Sequence, residues 1–393
     1  MTESLYIHIP FCNSKCSYCD FFSVPGKSEN YIDSYISALK NEILFRIRQF
    51  DILKLKTVYI GGGTPSLLSV TQLKQISGIL KPYIDEKTEF TIEMNPEDVT
   101  EEKIAGFSSC NVNRISIGIQ AFSDSVLKNV NRRSNSEKNE EALRILSEKF
   151  NGEISADLIC ALPFQSEENF LQGLNHLLSY RVSHVSVYSL TFEEDTPLFK
   201  LLENGKIDYD FDKADDLWIK GRDFLIKNGF EHYEVSNFYK KASGKACHHN
   251  MTYWRLENYA GCGSGGTGSF YGEKSFRYTN TKDIKRYITF WSSEESNSSG
   301  NKNHEDFEEV ESLSEDIIAF EFFMMGLRTK TGVNLSDFDK RFNLSVPEKY
   351  KAVMEKWISN KKAFCYYAGG NRYFALNENG LLFLNQFLQE ILL

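Results

Sequence analysis

The first half of the chain alternates short apolar runs, rich in β-branched residues, with longer amphipathic segments. Runs of strand length lie at residues 5–9, 57–60, 90–94, 114–119, 154–162 and 184–190. Helical periodicity lies between them, at about residues 31–50, 71–83, 101–107, 136–149 and 167–180. This alternation is typical of βα units that share one parallel sheet. Six strands are too few for a closed eight-stranded barrel, so we predict an α/β fold with a partial (β/α)6 barrel over residues 1–191.

The pattern changes after residue 191 and divides the rest of the chain into three parts. Residues 192–291 contain a helical stretch at 212–228 and a Gly-rich segment at 260–268, and we interpret them as an extension of the barrel. Residues 292–312 are rich in Ser, Asn and Glu, which predicts a flexible linker. Residues 313–393 combine an apolar helix at 315–327 with a hairpin at 364–376, so we predict a small winged-helix-like α+β domain.

Composition narrows the class of protein. The net charge of −9 in 393 residues, without a basic tract, argues against nucleic-acid binding. No apolar stretch is long enough to span a bilayer, and the N-terminus lacks the pattern of a secretion signal, so we expect a cytoplasmic protein. Peripheral association with a membrane stays open. The eight cysteines then predict metal ligands and buried thiols instead of disulfides, because the cytosol is reducing.

Three cysteines directly after the first apolar run carry the clearest chemical signal. Cys12, Cys16 and Cys19 are spaced C-x3-C-x2-C. Iron–sulfur cubanes are held by Cys thiolates at short spacings and normally need four, so three thiolates leave one iron open to an exogenous chelate. Two other interpretations remain: a zinc site completed by His8, or free thiols in a core.

Further polar residues follow the predicted strands. The sequence GGGTP at residues 61–65 comes directly after the second strand, and glycines there let the backbone approach a ligand closely. Glu93, Gln120, Arg132 and Asp157 stand inside or just beyond other apolar runs. A buried carboxylate or amide costs several kcal/mol unless it is paired, on the order of 2–7 kcal/mol, so each needs a partner. That partner is either a ligand or another protein group.

The cysteine spacing, followed by GGGTP, resembles the radical S-adenosylmethionine superfamily. The placement of Glu93, Gln120, Arg132 and Asp157 is similar to the cofactor-binding set of the oxygen-independent coproporphyrinogen III oxidase family. The resemblance extends over about residues 4–270 and implies a [4Fe-4S] cluster with S-adenosylmethionine on its open iron. It implies that Gly62, Gly63 and Thr64 contact the methionine amino group. The other cofactor contacts that it implies are Tyr6, Tyr18, Glu93, Gln120, Arg132 and Asp157, with Thr191 and Thr267 as further candidates.

Two features indicate which branch of that family the chain resembles. The oxidase branch has a fourth cysteine and an N-terminal extension, whereas Phe21 stands at that position here and the first ligand is already residue 12. Residues 249–254 read HNMTYW, which is similar to the HNxxYW motif of HemW-type heme chaperones. Members of the family commonly have a histidine in the Gly-rich segment, where Thr267 is found here.

That resemblance implies a protein that binds heme near His249 and transfers it to an acceptor protein, which the sequence does not identify. A neutral imidazole is a usual axial ligand of heme iron, and Tyr253 and Trp254 offer flat apolar surface. His248 and Cys247 are adjacent alternatives, and a packed core histidine is the plainer interpretation. The alternative function is a radical S-adenosylmethionine enzyme, generating a 5′-deoxyadenosyl radical, that acts on a porphyrin-like substrate.

Overall fold

The structure is a computed structural model that describes residues 2–272, 274–293 and 307–392. The strands are β1 (Ser4–Ile9), β2 (Phe11–Cys12), β3 (Val24–Pro25), β4 (Thr57–Gly62), β5 (Glu89–Met94), β6 (Arg114–Gln120), β7 (Glu153–Cys160), β8 (His184–Ser189), β9 (Phe230–Glu234), β10 (Asn237–Lys240), β11 (Ala260–Cys262), β12 (Thr267–Phe270), β13 (Phe276–Asn280), β14 (Glu308–Ser312), β15 (Val333–Asn334), β16 (Ala363–Ala368) and β17 (Asn371–Leu376).

The helices are α1 (Glu29–Gln49), α2 (Val70–Leu80), α3 (Glu101–Ser109), α4 (Asp124–Asn129), α5 (Ser136–Lys149), α6 (Glu167–Leu177), α7 (Pro197–Glu203), α8 (Phe211–Lys227), α9 (His248–Trp254), α10 (Ile284–Ser292), α11 (Glu315–Gly326), α12 (Leu335–Phe342), α13 (Glu348–Ser359), α14 (Glu378–Leu381) and α15 (Leu384–Leu392). Several begin at side-chain caps that satisfy free backbone N–H groups, such as Ser69 at α2 and Thr100 at α3. In the described part of the chain, no helix has the length and apolar character needed to cross a bilayer.

A nine-stranded sheet organises the first 262 residues, in the order β11-β1-β4-β5-β6-β7-β8-β10-β9. The pairings from β11 to β8 are parallel, and the β9–β10 hairpin adds two antiparallel strands at the far edge. All six predicted strands and all five predicted helices of the barrel are confirmed within a few residues. The predicted partial barrel is therefore confirmed.

The two faces of this sheet carry different side chains, because alternate residues of a strand point to opposite faces. Leu5, Ile7 and Ile9 of β1 belong to the apolar core of the outer face. The residues between them, Tyr6 and His8, are polar, and the same alternation continues across the parallel strands. The register places Tyr6 beside Tyr59, Glu93 beside Ser116 and Asp157 beside Gly118, so one face of the barrel is lined with polar groups.

The extension after residue 191 is more closely built into the barrel than we predicted. It supplies β11 at one edge of the main sheet and the β9–β10 hairpin at the other. The short helices α4 and α7 were not predicted, since six or seven residues give too little periodicity to recognise.

The predicted linker at 292–312 overlaps regular structure at both ends. Ser292 ends α10, and residues 308–312 form β14, which pairs with β13 in a three-stranded sheet. Residues 294–306 lie outside the described residues.

The C-terminal part contains helices α11 to α15 and a small antiparallel sheet of order β15-β17-β16, around its own apolar cluster. The predicted hairpin corresponds to β16 and β17.

Candidate metal centre and cofactor cavity

The three cysteines lie on a loop at the carboxyl end of β1, and backbone hydrogen bonds fix where this loop begins. Gly63 N donates to Ile9 O (2.9 Å) and Thr64 N donates to Phe11 O (2.8 Å), so the GGGTP turn is joined to the residues just before Cys12. A Cβ on Gly63 would lie 2.6 Å from Phe11 O, which explains why glycine is needed at this position. The glycine turn therefore positions the first cysteine.

The far side of the cysteine loop is held by the polypeptide after β6. Ser17 N donates to Val130 O (3.0 Å), and an Arg132 guanidinium nitrogen lies 3.7 Å from Cys16 Sγ. Thr64 Oγ1 lies 3.2 Å from Cys12 Sγ. A thiolate at Cys16 would thus have a cation beside it and one at Cys12 would have a hydroxyl, and both groups stabilise the deprotonated form that binds metal.

The arrangement of the thiols bears on the kind of metal site. All eight cysteines lie in the described part of the chain and are free, with Cys12, Cys16 and Cys19 partly exposed. Within the described ranges, no three His, Cys, Asp or Glu side chains converge as ligands of a single ion. A cubane takes each thiolate on a different iron and needs no such convergence. Three free thiols on one short loop offer the ligands that a cubane with one open iron requires.

His8, the proposed fourth ligand of a zinc site, is engaged elsewhere. Its Nε2 donates to the carbonyl of Phe22 (2.9 Å), which leaves Nδ1 to accept from the Tyr6 hydroxyl (3.0 Å). Both ring nitrogens are thus occupied by protein groups, so the zinc interpretation loses its histidine.

A cavity of about 480 Å³ opens beside the cysteine loop at the carboxyl ends of the parallel strands. Eleven of the thirteen predicted site residues line it, together with Thr191. They are Cys12, Cys16, Tyr18, Cys19, Gly62, Gly63, Thr64, Glu93, Gln120, Arg132 and Asp157. The volume lies within the range of roughly 300–1,000 Å³ that is usual for small-molecule sites.

Glu93 lies at the centre of the polar face. It accepts hydrogen bonds from protein groups and also lines the cavity. The Tyr59 hydroxyl donates to Oε1 (2.8 Å) and Gly62 N donates to Oε2 (3.1 Å). Burial raises the pKa of Glu93 to about 7, and the neighbouring Asp157 adds to this shift. A cationic ligand in the cavity would favour the ionised carboxylate.

Gln120 reaches the cavity through an unusual backbone conformation. It lies at φ 65°, next to a β-bulge where β6 and β7 lose their regular register. Bulges beside active sites redirect side chains, and positive φ is uncommon for residues other than glycine. Among the described residues, nothing hydrogen-bonds the buried Gln120 Oε1. This acceptor is available for a ligand donor such as a ribose hydroxyl.

These observations fit the cofactors that the sequence implied. The cavity has three free thiols at one end, a buried carboxyl at its centre and a buried amide oxygen that a ligand could satisfy. Cys12, Cys16 and Cys19 would hold the cluster. The polar groups on the strands would hold S-adenosylmethionine.

Two predicted site residues lie outside this cavity. Tyr6 is turned toward His8 and is not part of the lining. His249 is fully buried, with Nδ1 2.7 Å from Thr57 Oγ1 and Nε2 2.8 Å from the Tyr253 hydroxyl. Because Thr57 begins β4, His249 lies at the opposite end of the barrel from the cysteines. Burial lowers its pKa to about 3, so the imidazole is neutral.

The prediction that His249 binds heme iron therefore stays a prediction, and in this structure neither ring nitrogen is presented to a ligand. The ring stacks on Tyr59, with centroids 5.0 Å apart. The plainer interpretation of the sequence, a packed and hydrogen-bonded histidine, describes what is found.

The lining residues that the sequence reasoning missed include Tyr59, Asn95 and Tyr188. Tyr59 holds Glu93, and Asn95 Oδ1 accepts from Arg132 (2.7 Å). Tyr59 could have been found from its place in β4, where it is the polar residue between Val58 and Ile60.

Taken together, a partial (β/α)6 barrel with three cysteines on the loop after its first strand defines a radical S-adenosylmethionine protein. The model of the radical SAM superfamily matches residues 6–177, and that of the HemN C-terminal domain matches residues 313–362. Coproporphyrinogen III oxidase (HemN) from Escherichia coli has the same fold, with a TM-score of 0.76 at 18% identity over 99% of this chain and 89% of that one.

Comparison with curated proteins identifies the family. The chain is 34% identical to the heme chaperone HemW of Lactococcus lactis over 91% of its length and 90% of the relative's. It is 33% identical to HemW of Bacillus subtilis over 90% of both chains, and 31% identical to HemW of Escherichia coli over 99% and 98%. The chain belongs to the HemW heme chaperone family.

Proposed function

We propose that this protein is a heme chaperone that binds heme and a [4Fe-4S] cluster with S-adenosylmethionine and passes the heme to an acceptor protein. The observation that carries the proposal is the similarity to heme chaperones over nearly the full chain, together with a cavity that joins the three cysteines to the polar residues of the sheet.

The residues of the cavity have distinct roles in this proposal. Cys12, Cys16 and Cys19 bind the cluster, and Arg132 stabilises the Cys16 thiolate through the contact described above. Glu93 offsets the positive charge of S-adenosylmethionine, and Gln120 Oε1 accepts a hydrogen bond from a ribose hydroxyl. Tyr18, Gly62, Gly63, Thr64 and Asp157 complete the binding surface. When bound, such a cluster supplies one-electron reduction at its open iron.

A radical enzyme that acts on a porphyrin-like substrate is the second candidate. The observation that favours it is the cavity itself, which brings the three cysteines together with the polar residues proposed to bind S-adenosylmethionine. Phe21, at the position of the oxidase branch's fourth cysteine, is 68% exposed and lies on the cavity wall. Coproporphyrinogen III is therefore a poor candidate for the substrate.

The experiment uses the full chain, reconstituted with iron and sulfide without oxygen. We expect about one heme per chain in an absorbance titration and no conversion of coproporphyrinogen III in the presence of reductant and S-adenosylmethionine. Cys12→Ala should abolish cluster assembly. A parent protein that binds no heme, or one that oxidises coproporphyrinogen III with turnover, would contradict the chaperone assignment.

We also propose that the protein is cytoplasmic and that it associates peripherally with membranes. The eight free thiols fit a reducing compartment such as the cytoplasm. Sedimentation with anionic lipid vesicles, with and without heme, tests peripheral membrane association.

A further inference from the structure

A second cavity, of about 400 Å³, lies on the same polar face of the barrel, at the β1 edge. Tyr6 and His8 of β1 form one wall, and Phe22 of the cysteine loop forms another. Tyr253 of α9, Tyr259 and Thr267 close the remaining sides. The walls are thus mainly aromatic, which is typical of sites for large planar ligands.

The two cavities share a wall. Asp20 and Phe21, which follow the last cysteine of the motif, line both of them. A ligand in the second cavity would therefore lie against the loop that carries the cluster. The exposed Phe21 ring offers apolar surface at this boundary.

Charge at the second cavity suits a ligand with an anionic edge. Lys282 is exposed and lines the cavity, and its charge reaches His8, where it contributes to lowering the pKa of the imidazole. Asp20 is the acidic residue of the lining and belongs to the boundary with the first cavity. Lys282 therefore offers a cation to the carboxylates of a porphyrin in this cavity.

The HNxxYW motif contributes to this cavity through its tyrosine. His249 and Tyr253 are four residues apart on α9, so their side chains meet on one face of the helix. His249 Nε2 lies 2.8 Å from the Tyr253 hydroxyl, and Thr57 Oγ1 anchors the other ring nitrogen at 2.7 Å. The buried histidine thereby fixes the ring of Tyr253 in the cavity wall.

We propose that heme is held in this second cavity, against the cysteine loop, and that His249 is a positioning residue that fixes Tyr253 and does not bind the iron. The inference rests on the proposed heme-chaperone function and names the place where that heme binds. In this inference the HNxxYW motif contributes to heme binding through Tyr253, although its histidine is buried.

Filling the cavity is the first test. Thr267 lines it, and its hydroxyl lies 3.0 Å from that of Thr279 across the β12–β13 pair, so Thr267→Phe would place a ring in the ligand's space. We expect the Kd for heme to rise at least tenfold, while cluster absorbance and S-adenosylmethionine binding are retained. Thr289→Phe, on the exposed face of α10, is the matched control and should bind heme like the parent.

Changing charge is the second test, and it is made at exposed positions. Lys282→Glu alters an exposed cavity residue, and Lys285→Glu makes the same change on the nearby surface of α10, outside the lining. We expect Lys282→Glu to weaken heme binding several-fold and Lys285→Glu to have no effect. Equal heme affinities for the two variants would contradict heme binding in the second cavity.

The role of His249 is tested by spectroscopy. We expect His249→Gln and Tyr253→Phe to weaken heme binding without moving the Soret band or the spin-state bands. A spectral shift in His249→Gln alone would identify the histidine as an iron ligand and overturn its assignment as a positioning residue.

The outcomes separate this inference from the proposed function. If the parent binds no heme, the chaperone function itself fails. If the parent binds heme and Thr267→Phe binds it equally well, or loses S-adenosylmethionine alone, then only the assignment of heme to the second cavity is wrong.

Discussion

Glu93 shows how one residue can link the sheet to a ligand. Its carboxyl is buried and receives hydrogen bonds from Tyr59 and Gly62, yet desolvation holds its pKa near 7. Burial disfavours the charged form, and two donors offset this only in part. A group with such a pKa changes its charge within the physiological range.

This pKa predicts a pH-dependent affinity for S-adenosylmethionine, which carries positive charge. The carboxylate becomes populated as pH rises through 7, so affinity should increase from pH 6 to pH 8 by up to about tenfold. Titration calorimetry on the reconstituted protein measures the affinity for S-adenosylmethionine at each pH. Glu93→Gln should flatten the profile, whereas Asp157→Asn should retain most of it. A parent whose affinity is constant over this range would contradict the role of Glu93.

The close packing of Gly63 against the backbone leads to a second prediction at the scale of one residue. A methyl group there would press on the Phe11 carbonyl next to Cys12, so Gly63→Ala should lower cluster occupancy. Iron and sulfide content per chain provide the measurement. Gly78→Ala is the control, because it lies within α2 with open space around it and should stabilise the fold by about 0.5–1 kcal/mol. Equal iron content in the two variants would argue against the steric explanation.

At the scale of elements, the strands show what the sequence could and could not predict. Apolar runs located all six barrel strands, because burial of the outer face requires them. The polar residues between them were treated singly, although in β1, β4 and β5 they occupy every second position and mark one continuous face. Their regular alternation was the missed signal for Tyr59.

Helix α9 shows the opposite case, in which a local motif does not reveal the surroundings of its own residues. HNMTYW contains no feature that distinguishes a buried histidine from an accessible one. Its burial depends on Thr57, 192 residues earlier in the chain, and on the return of the chain to pair as β11. Such long-range placement cannot be deduced from the spacing of residues within the motif.

His249→Ala should therefore destabilise the protein. The change leaves Thr57 and Tyr253 without their buried partner and opens a cavity, at a cost of about 2–4 kcal/mol. Urea unfolding measures the effect. His248→Ala, at the half-buried neighbouring position, should cost less than about 0.5 kcal/mol. Equal losses in the two variants would contradict the structural role of His249.

At the scale of the whole molecule, a buried ionic network joins the barrel to the sheet that covers its edge. Arg46 of α1, 1% exposed, pairs with Glu42 and with Glu308 of β14. Glu42 also accepts from Gly263 N in the Gly-rich segment (2.7 Å). One buried cluster thus ties together segments more than 200 residues apart.

Arg46→Met should break this connection. It removes the buried guanidinium that pairs with Glu42 and with Glu308, and loss of one partner from a buried pair costs about 3–5 kcal/mol. Urea unfolding again provides the measurement. Arg48→Met, exposed on the same helix, should change stability by less than about 0.5 kcal/mol. A loss for Arg46→Met no larger than that would show that the network does not stabilise the fold.

The β11 strand and the β9–β10 hairpin have a consequence for any attempt to shorten the protein. A fragment that stopped at residue 191 would keep every cysteine ligand, but β1 and β8 would become outermost, each with a row of unsatisfied amides and carbonyls. Exposed edge strands of this kind pair with strands of other molecules and cause aggregation. We therefore expect the truncated barrel to precipitate, so the minimal unit that can be purified must include the chain at least through residue 262.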